Sequence, residues 1–174
     1  MFLRRLNLFI LVFAICGMSL APASELKARE LEAVEGWVYG NVQQVGFRAF
    51  IFKQAIRYNL GGSIDNQPDG SVHFILQGHP NRIEEALALI RKGPAKANVT
   101  DVKENAISVR QDINSVTVKG WTSKSRNFDH PVDLVYPLRS DDGVLSPAEA
   151  SGIFKKILRE AMASAETPAG RPGS

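Results

Sequence analysis

Cysteine is almost missing from this chain: the single thiol, Cys16, sits inside an apolar stretch near the start. A disulfide within the chain is therefore excluded, and with that stretch set aside no cysteine remains for thiol catalysis or metal ligation. Histidine is nearly as scarce. His73, His79 and His130 are scattered without ligand spacing, which favours structural or surface roles over a metal site. We expect no metal and no cofactor. An excess of charge of one sign is lacking as well. The formal net charge is +3, but Arg4 and Arg5 precede the apolar stretch, and removing them from the 21 basic residues leaves 19 against 18 acidic ones. A net charge of +1 argues against nucleic acid as a partner.

Long apolar runs are limited to one, Leu8 to Ala21, broken only by Gly17 and Ser19. It falls short of the ~20 residues a membrane span needs. Together with the basic start and the small residues Ala21-Pro22-Ala23, it predicts that residues 1–23 are an export signal, which implies a periplasmic or secreted protein. The alternative is an uncleaved membrane anchor, and that signal is the only membrane contact expected.

The 174 residues are 44% apolar and 22% charged, enough for one globular domain with one core. Glu32 to Val42 mixes Val34, Trp37, Val38 and Tyr39 with two glycines, a strand crossed closely by another element. Phe52, Ala55, Ile56 and Leu60 recur at helical spacing over 47–60, and Gly61-Gly62 is expected to stop that helix through a left-handed cap. Residues 63–66 and 71–77 read as a hairpin around Gln67-Pro68-Asp69-Gly70. Residues 81–92 form a second helix ending at Gly93-Pro94, and 99–109 and 116–121 are strands. The order β-α-β-β-α-β with one additional strand predicts an α+β, ferredoxin-like split βαβ sandwich: an antiparallel sheet with two helices on one face.

Residues 24–121 are taken as that domain and 122–174 as a C-terminal extension. Within the extension, 122–145 show little periodicity and read as a surface connector. Ser146-Pro147-Ala148-Glu149 then opens a helix over about 147–163, with a frayed tail after it. A protein partner for this extension is unknown from the sequence. The expectation for its helix is docking on the domain, because its polar face mixes both signs of charge.

Gly40-Asn41-Val42-Gln43-Gln44-Val45-Gly46-Phe47-Arg48 is the segment with chemistry. A turn leaving a strand and entering a helix presents successive backbone amides, the helix start adds partial positive charge, and a guanidinium supplies a fork that fits phosphate oxygens. Gln43, Gln44, Val45, Gly46 and Phe47 are the candidate phosphate-binding loop. A right-handed crossover would make the first two strands parallel, so that Arg48 and Asn66 meet at one end of the sheet.

These residues resemble the acylphosphatase family, whose signature loop G-x-V-Q-G-V-x-F-R is matched by Gly40, Val42, Gln43, Val45, Phe47 and Arg48. Asn66, Asp69-Gly70, Gln77-Gly78 and Gly93-Pro94 follow at the family's spacing, and the likeness spans about residues 31 to 120. The resemblance implies metal-independent hydrolysis of acyl phosphates, small molecules split into a carboxylate and inorganic phosphate. Arg48 would hold the phosphoryl group and Asn66 would position the attacking water. Two departures stand out: Gln44 replaces a glycine, and Asp65 places a carboxylate beside the proposed anion site. Gln44 leaves open an alternative, a weak or inactive acylphosphatase-like anion-binding or interaction module of the cell envelope. Blander roles also stay open, with Arg48 a surface residue at a helix start and Asn66 a turn residue.

Overall fold

The computed structural model describes residues 31–123, 128–141 and 143–166. In chain order it forms β1 (Glu32–Asn41), α1 (Phe47–Tyr58), β2 (Gly61–Asn66), β3 (Val72–Gly78), α2 (Pro80–Lys92), β4 (Asn98–Ile107), β5 (Ser115–Ser123), β6 (Phe128–Pro137) and α3 (Pro147–Glu166). The strands make one sheet in the order β4-β1-β3-β2-β5-β6. β3 runs antiparallel to both β1 and β2, while β5 runs parallel to β2. Strands β1, β2 and β5 thus share one direction and end on the same side of the sheet. The expected α+β, ferredoxin-like arrangement is present, enlarged by β5, β6 and α3.

Strand alternation decides which residues build the core. Ile64, Val72, Phe74, Leu76, Val116, Val118 and Leu134 are fully buried on the face that the helices cover. Ile51, Phe52, Ala55 and Ile56 of α1 and Ile83, Ala86, Leu87 and Ile90 of α2 close over them. The close crossing expected at the glycines of β1 occurs: a Cβ on Gly36 would lie 2.3 Å from the Phe74 ring. On the other face His73 stands between Glu35, 2.9 Å from its Nε2, and Asp65, 3.3 Å from its Nδ1.

Two expectations need correction. The helix stop belongs to Asn59, which takes the left-handed conformation at φ 53°, while Gly61-Gly62 already open β2. Asn59 also clamps the chain after β6, donating from Nδ2 to the Arg139 carbonyl and accepting at Oδ1 from the Arg139 amide, at 3.0 and 2.8 Å. Second, residues 122–145 are more than a connector, because they contain β6, paired antiparallel with β5. Only Val132, Leu134 and Tyr136 carry its period-2 pattern, and Pro131 and Pro137 blurred it; prolines are tolerated here because β6 is an edge strand.

Helix α3 docks against α1 and β6, with Ala150 and Leu158 buried and Phe154 edge-on to Phe52. Its start is a capping box: the Ser146 amide donates to Glu149 Oε2 at 2.8 Å and the Glu149 amide donates to Ser146 Oγ at 3.3 Å. Ser146→Ala should therefore destabilise the protein by about 1 kcal/mol, measured as a lower urea midpoint at unchanged m-value.

Candidate active site

The loop between β1 and α1 is pinned to the core by Val42 and Phe47, both about 1% exposed, and by the half-buried Val45. Its backbone is left-handed at Gln44, φ 60°, and again at Gly46, φ 82°. Left-handed residues at alternate positions curl a chain so that its amides line a concavity suited to an anion. The Val42 amide donates to the Gly40 carbonyl and the Phe50 amide to the Gly46 carbonyl, both at 3.0 Å. Between them the chain turns at residues 43–46, and the amides of Gln43 through Ala49 make no well-aligned hydrogen bond to a backbone carbonyl among the described residues. Gly46 stands at the cap of α1 without a side-chain cap hydrogen bond among the described residues, which leaves the helix start's partial positive charge for a ligand.

Gln44 is the residue that was suspect, and its backbone takes the shape a glycine would take. Holding a side chain there costs ~1 to 2 kcal/mol. The side chain itself is exposed, so only the conformational cost distinguishes it from glycine. Gln44→Gly should therefore raise stability by about 0.5–1 kcal/mol, glycine's greater unfolded-state entropy offsetting part of the relief. Turnover should stay within about twofold, because the nest keeps its shape; a urea titration and an activity assay check the two halves.

Gln43 has a different task from the one expected of its neighbours. Its Nε2 donates to the carbonyls of Gln67 and Ser71, both at 2.8 Å, tying the loop to the turn that follows Asn66. That turn is firm in its own right. Asp69 Oδ1 accepts from the Ser71 hydroxyl and amide at 2.7 and 2.9 Å, which holds the Asp69 carboxyl below its usual pKa. The side chain of Gln43 is thus committed to that turn and that of Gln44 is exposed, while the backbone amides of both lie in the nest loop.

Arg48 leaves the first turn of α1 and crosses to the middle of β5. Its Nη1 donates to the carbonyls of Lys119 at 2.7 Å and Gly120 at 3.3 Å. The guanidinium carbon lies 5.5 Å from the centre of the Trp121 ring, a cation–π distance. Burial lowers its pKa and the negative Asp65 opposes that shift; an arginine stays charged regardless. Among the described residues, Nε and Nη2 have no protein acceptor.

Asn66 ends β2, two residues beyond Ile64, which pairs with Val118 of β5. The carbonyls that hold Arg48 come directly after Val118, so the topology brings Arg48 and Asn66 to neighbouring strand ends. Asn66 is exposed, and its side chain has no hydrogen-bond partner among the described residues. Asp65, whose charge was a concern, lies on the opposite face, bonded by Gln67 Nε2 and beside His73. Sequence reasoning missed Lys119, Gly120 and Trp121, because carbonyls carry no sequence signature and Trp121 reads as an ordinary strand aromatic.

A family model for acylphosphatase matches residues 34–118. An acylphosphatase of Methanocella arvoryzae is 40% identical over 77 residues, covering 44% of this chain and 88% of that protein. One of Chlorobaculum tepidum is 42% identical over 72 residues, covering 41% of this chain and 78% of that protein. Among solved structures, the acylphosphatase from Bacillus subtilis shares 26% identity with a TM-score of 0.47, over 50% of this chain and 96% of its own. The family match contains the nest loop, Arg48 and Asn66, and it spans most of each relative's own length. The chain belongs to the acylphosphatase family.

Proposed function

We propose that this protein is an acylphosphatase that hydrolyses the carboxyl–phosphate bond of small acyl phosphates by direct attack of water. The observation that carries the reading is the nest loop beside an anchored guanidinium whose Nε and Nη2 have no acceptor among the described residues. The amides from Gln43 to Phe47 hold the nonbridging oxygens. Arg48 adds a bidentate contact that strengthens as charge shifts in the transition state.

Asn66 orients the water. Its oxygen attacks phosphorus, the phosphorus–acyl oxygen bond breaks with its electron pair passing to the carboxylate, and the water proton leaves with phosphate or solvent. A carboxylate is a good leaving group and the transition state is loose, so positioning and charge stabilisation suffice without metal, cofactor or strong base. The basic start, apolar run and small residues within 1–23 support export of the protein. Fractionation followed by N-terminal sequencing tests that part: recovery of the protein only in the cytoplasm would overturn export, and a start at Met1 in exported protein would mark an uncleaved anchor.

Hydrolysis of benzoyl phosphate by the purified chain, with and without chelator, beside Arg48→Ala and Asn66→Ala, tests the chemistry. We expect chelator-insensitive turnover that each substitution lowers by about 10²-fold or more. Turnover that needs a metal, or survives both changes, overturns the proposal. Phosphate-induced shifts of the amides of residues 43–48 without any turnover would mark a binding module instead.

A further inference from the structure

The segment that grips Arg48 begins where the family match ends. Val118 is the last matched residue, and the carbonyls of Lys119 and Gly120 and the ring of Trp121 come next. The β5–β6 pairing shifts register between Val118 and Trp121, so the two carbonyls are freed from regular sheet geometry at this point. Two further contacts hold them in place. Asp133 of β6 accepts from the Gly120 amide through Oδ1 at 2.9 Å. Phe154 of α3 packs edge-on against Trp121, with ring centres 5.8 Å apart and planes at 74°.

We propose that Lys119, Gly120 and Trp121, at the end of the domain, form a positioning platform for Arg48 that the C-terminal extension braces through Asp133 and Phe154. The inference rests on the role assigned to Arg48 above. An arginine side chain has several rotatable bonds, and immobilising it before substrate arrives removes that entropy cost from the binding step. The platform does so from one side only. Two carbonyls take Nη1 and the guanidinium carbon sits over the indole ring, while the edge formed by Nε and Nη2, suited to bidentate contact with an anion, has no acceptor among the described residues. The buried Trp121 Nε1–H meets no acceptor among the described residues, so Trp121 acts through its ring and Trp121→Phe should preserve the effect.

Two side-chain readouts test this on the full chain. The first is the Nε–H resonance of Arg48, assigned with Arg48→Lys, which ring current from Trp121 should displace in the parent. The second is affinity for inorganic phosphate, with kcat and KM for benzoyl phosphate beside it. We expect Trp121→Leu to remove the displacement, weaken phosphate about tenfold and lower kcat/KM 10- to 100-fold, while Trp121→Phe stays within threefold. Asp133→Ala, an exposed change, should move the same resonance and lower kcat/KM three- to tenfold at an unchanged unfolding midpoint, and Asp133→Asn should restore both. If either Trp121→Leu or Asp133→Ala leaves the Arg48 resonance and phosphate affinity at parent values, the platform is overturned. A rise in turnover on Trp121→Leu overturns it too, since the segment would then sequester Arg48. Should the parent fail to hydrolyse benzoyl phosphate, the assigned activity falls, yet the resonance and phosphate titration still decide the platform.

Discussion

Arg48→Ala is expected to lower kcat/KM for benzoyl phosphate about 10³-fold, with the loss in both kcat and phosphate affinity. The magnitude follows from position. Nη1 is already anchored on Lys119 and Gly120, so in the proposed mechanism Nε and Nη2 would act as preorganised donors that need little reorganisation when charge moves toward the leaving carboxylate. The change in stability should be small, under about 1 kcal/mol, because what is lost is one cation–π contact and hydrogen bonds of a half-exposed side chain. Arg48→Lys should recover less than tenfold of the lost activity, since an ammonium is a point charge without a fork. Asn66→Ala should lose about 10²-fold, chiefly in kcat, because the water positioning proposed for it would act in the transition state. A comparable fall in the unfolding midpoint for either variant would mean that the residue supports the fold and not the reaction.

Gly40→Ala destabilises the protein by roughly 3–5 kcal/mol, combining backbone strain with overpacking. At φ 117°, an added Cβ would stand 2.1 Å from the Asn98 carbonyl oxygen and 2.9 Å from the Thr100 amide nitrogen. Both obstacles are backbone, so no rotamer change relieves them. The pairing of β1 with β4 shifts register between Tyr39 and Gly40, and any separation there propagates directly into the nest loop that follows. Gly46→Ala is the internal control. Its Cβ would meet nothing within 4 Å, leaving only the cost of a positive φ, about 1 kcal/mol. Urea titrations of both variants check the difference, and equal losses would show that the close approach at Gly40 is unimportant.

Most of the fold was legible because its signals are local. Helical spacing from Phe52 to Leu60, the turn residues 67–70 and the capping box at Ser146 each depend on a few neighbouring side chains, and each element formed. What misled were features whose meaning depends on distant partners. Gly61-Gly62 looks like a helix stop until Asn59 takes the left-handed position and clamps Arg139. β6 looks like a connector until β5 offers it an edge on which Pro131 and Pro137 are tolerated.

The candidate site divides along the same line. By itself the sequence determined the loop, the helix that follows it, Arg48 and Asn66, because a chain reversal into a helix start and the spacing of a signature are properties of adjacent residues. Only the tertiary structure decided where the Arg48 side chain rests. Its anchors are carbonyls 71 and 72 residues away, and a main-chain oxygen is the same group in every residue, so its role comes from where the sheet places it. The same holds for Gln44. The sequence could mark it as a foreign residue in a glycine position, but only the folded loop could show it at φ 60°, taking the shape the nest requires at a modest conformational cost.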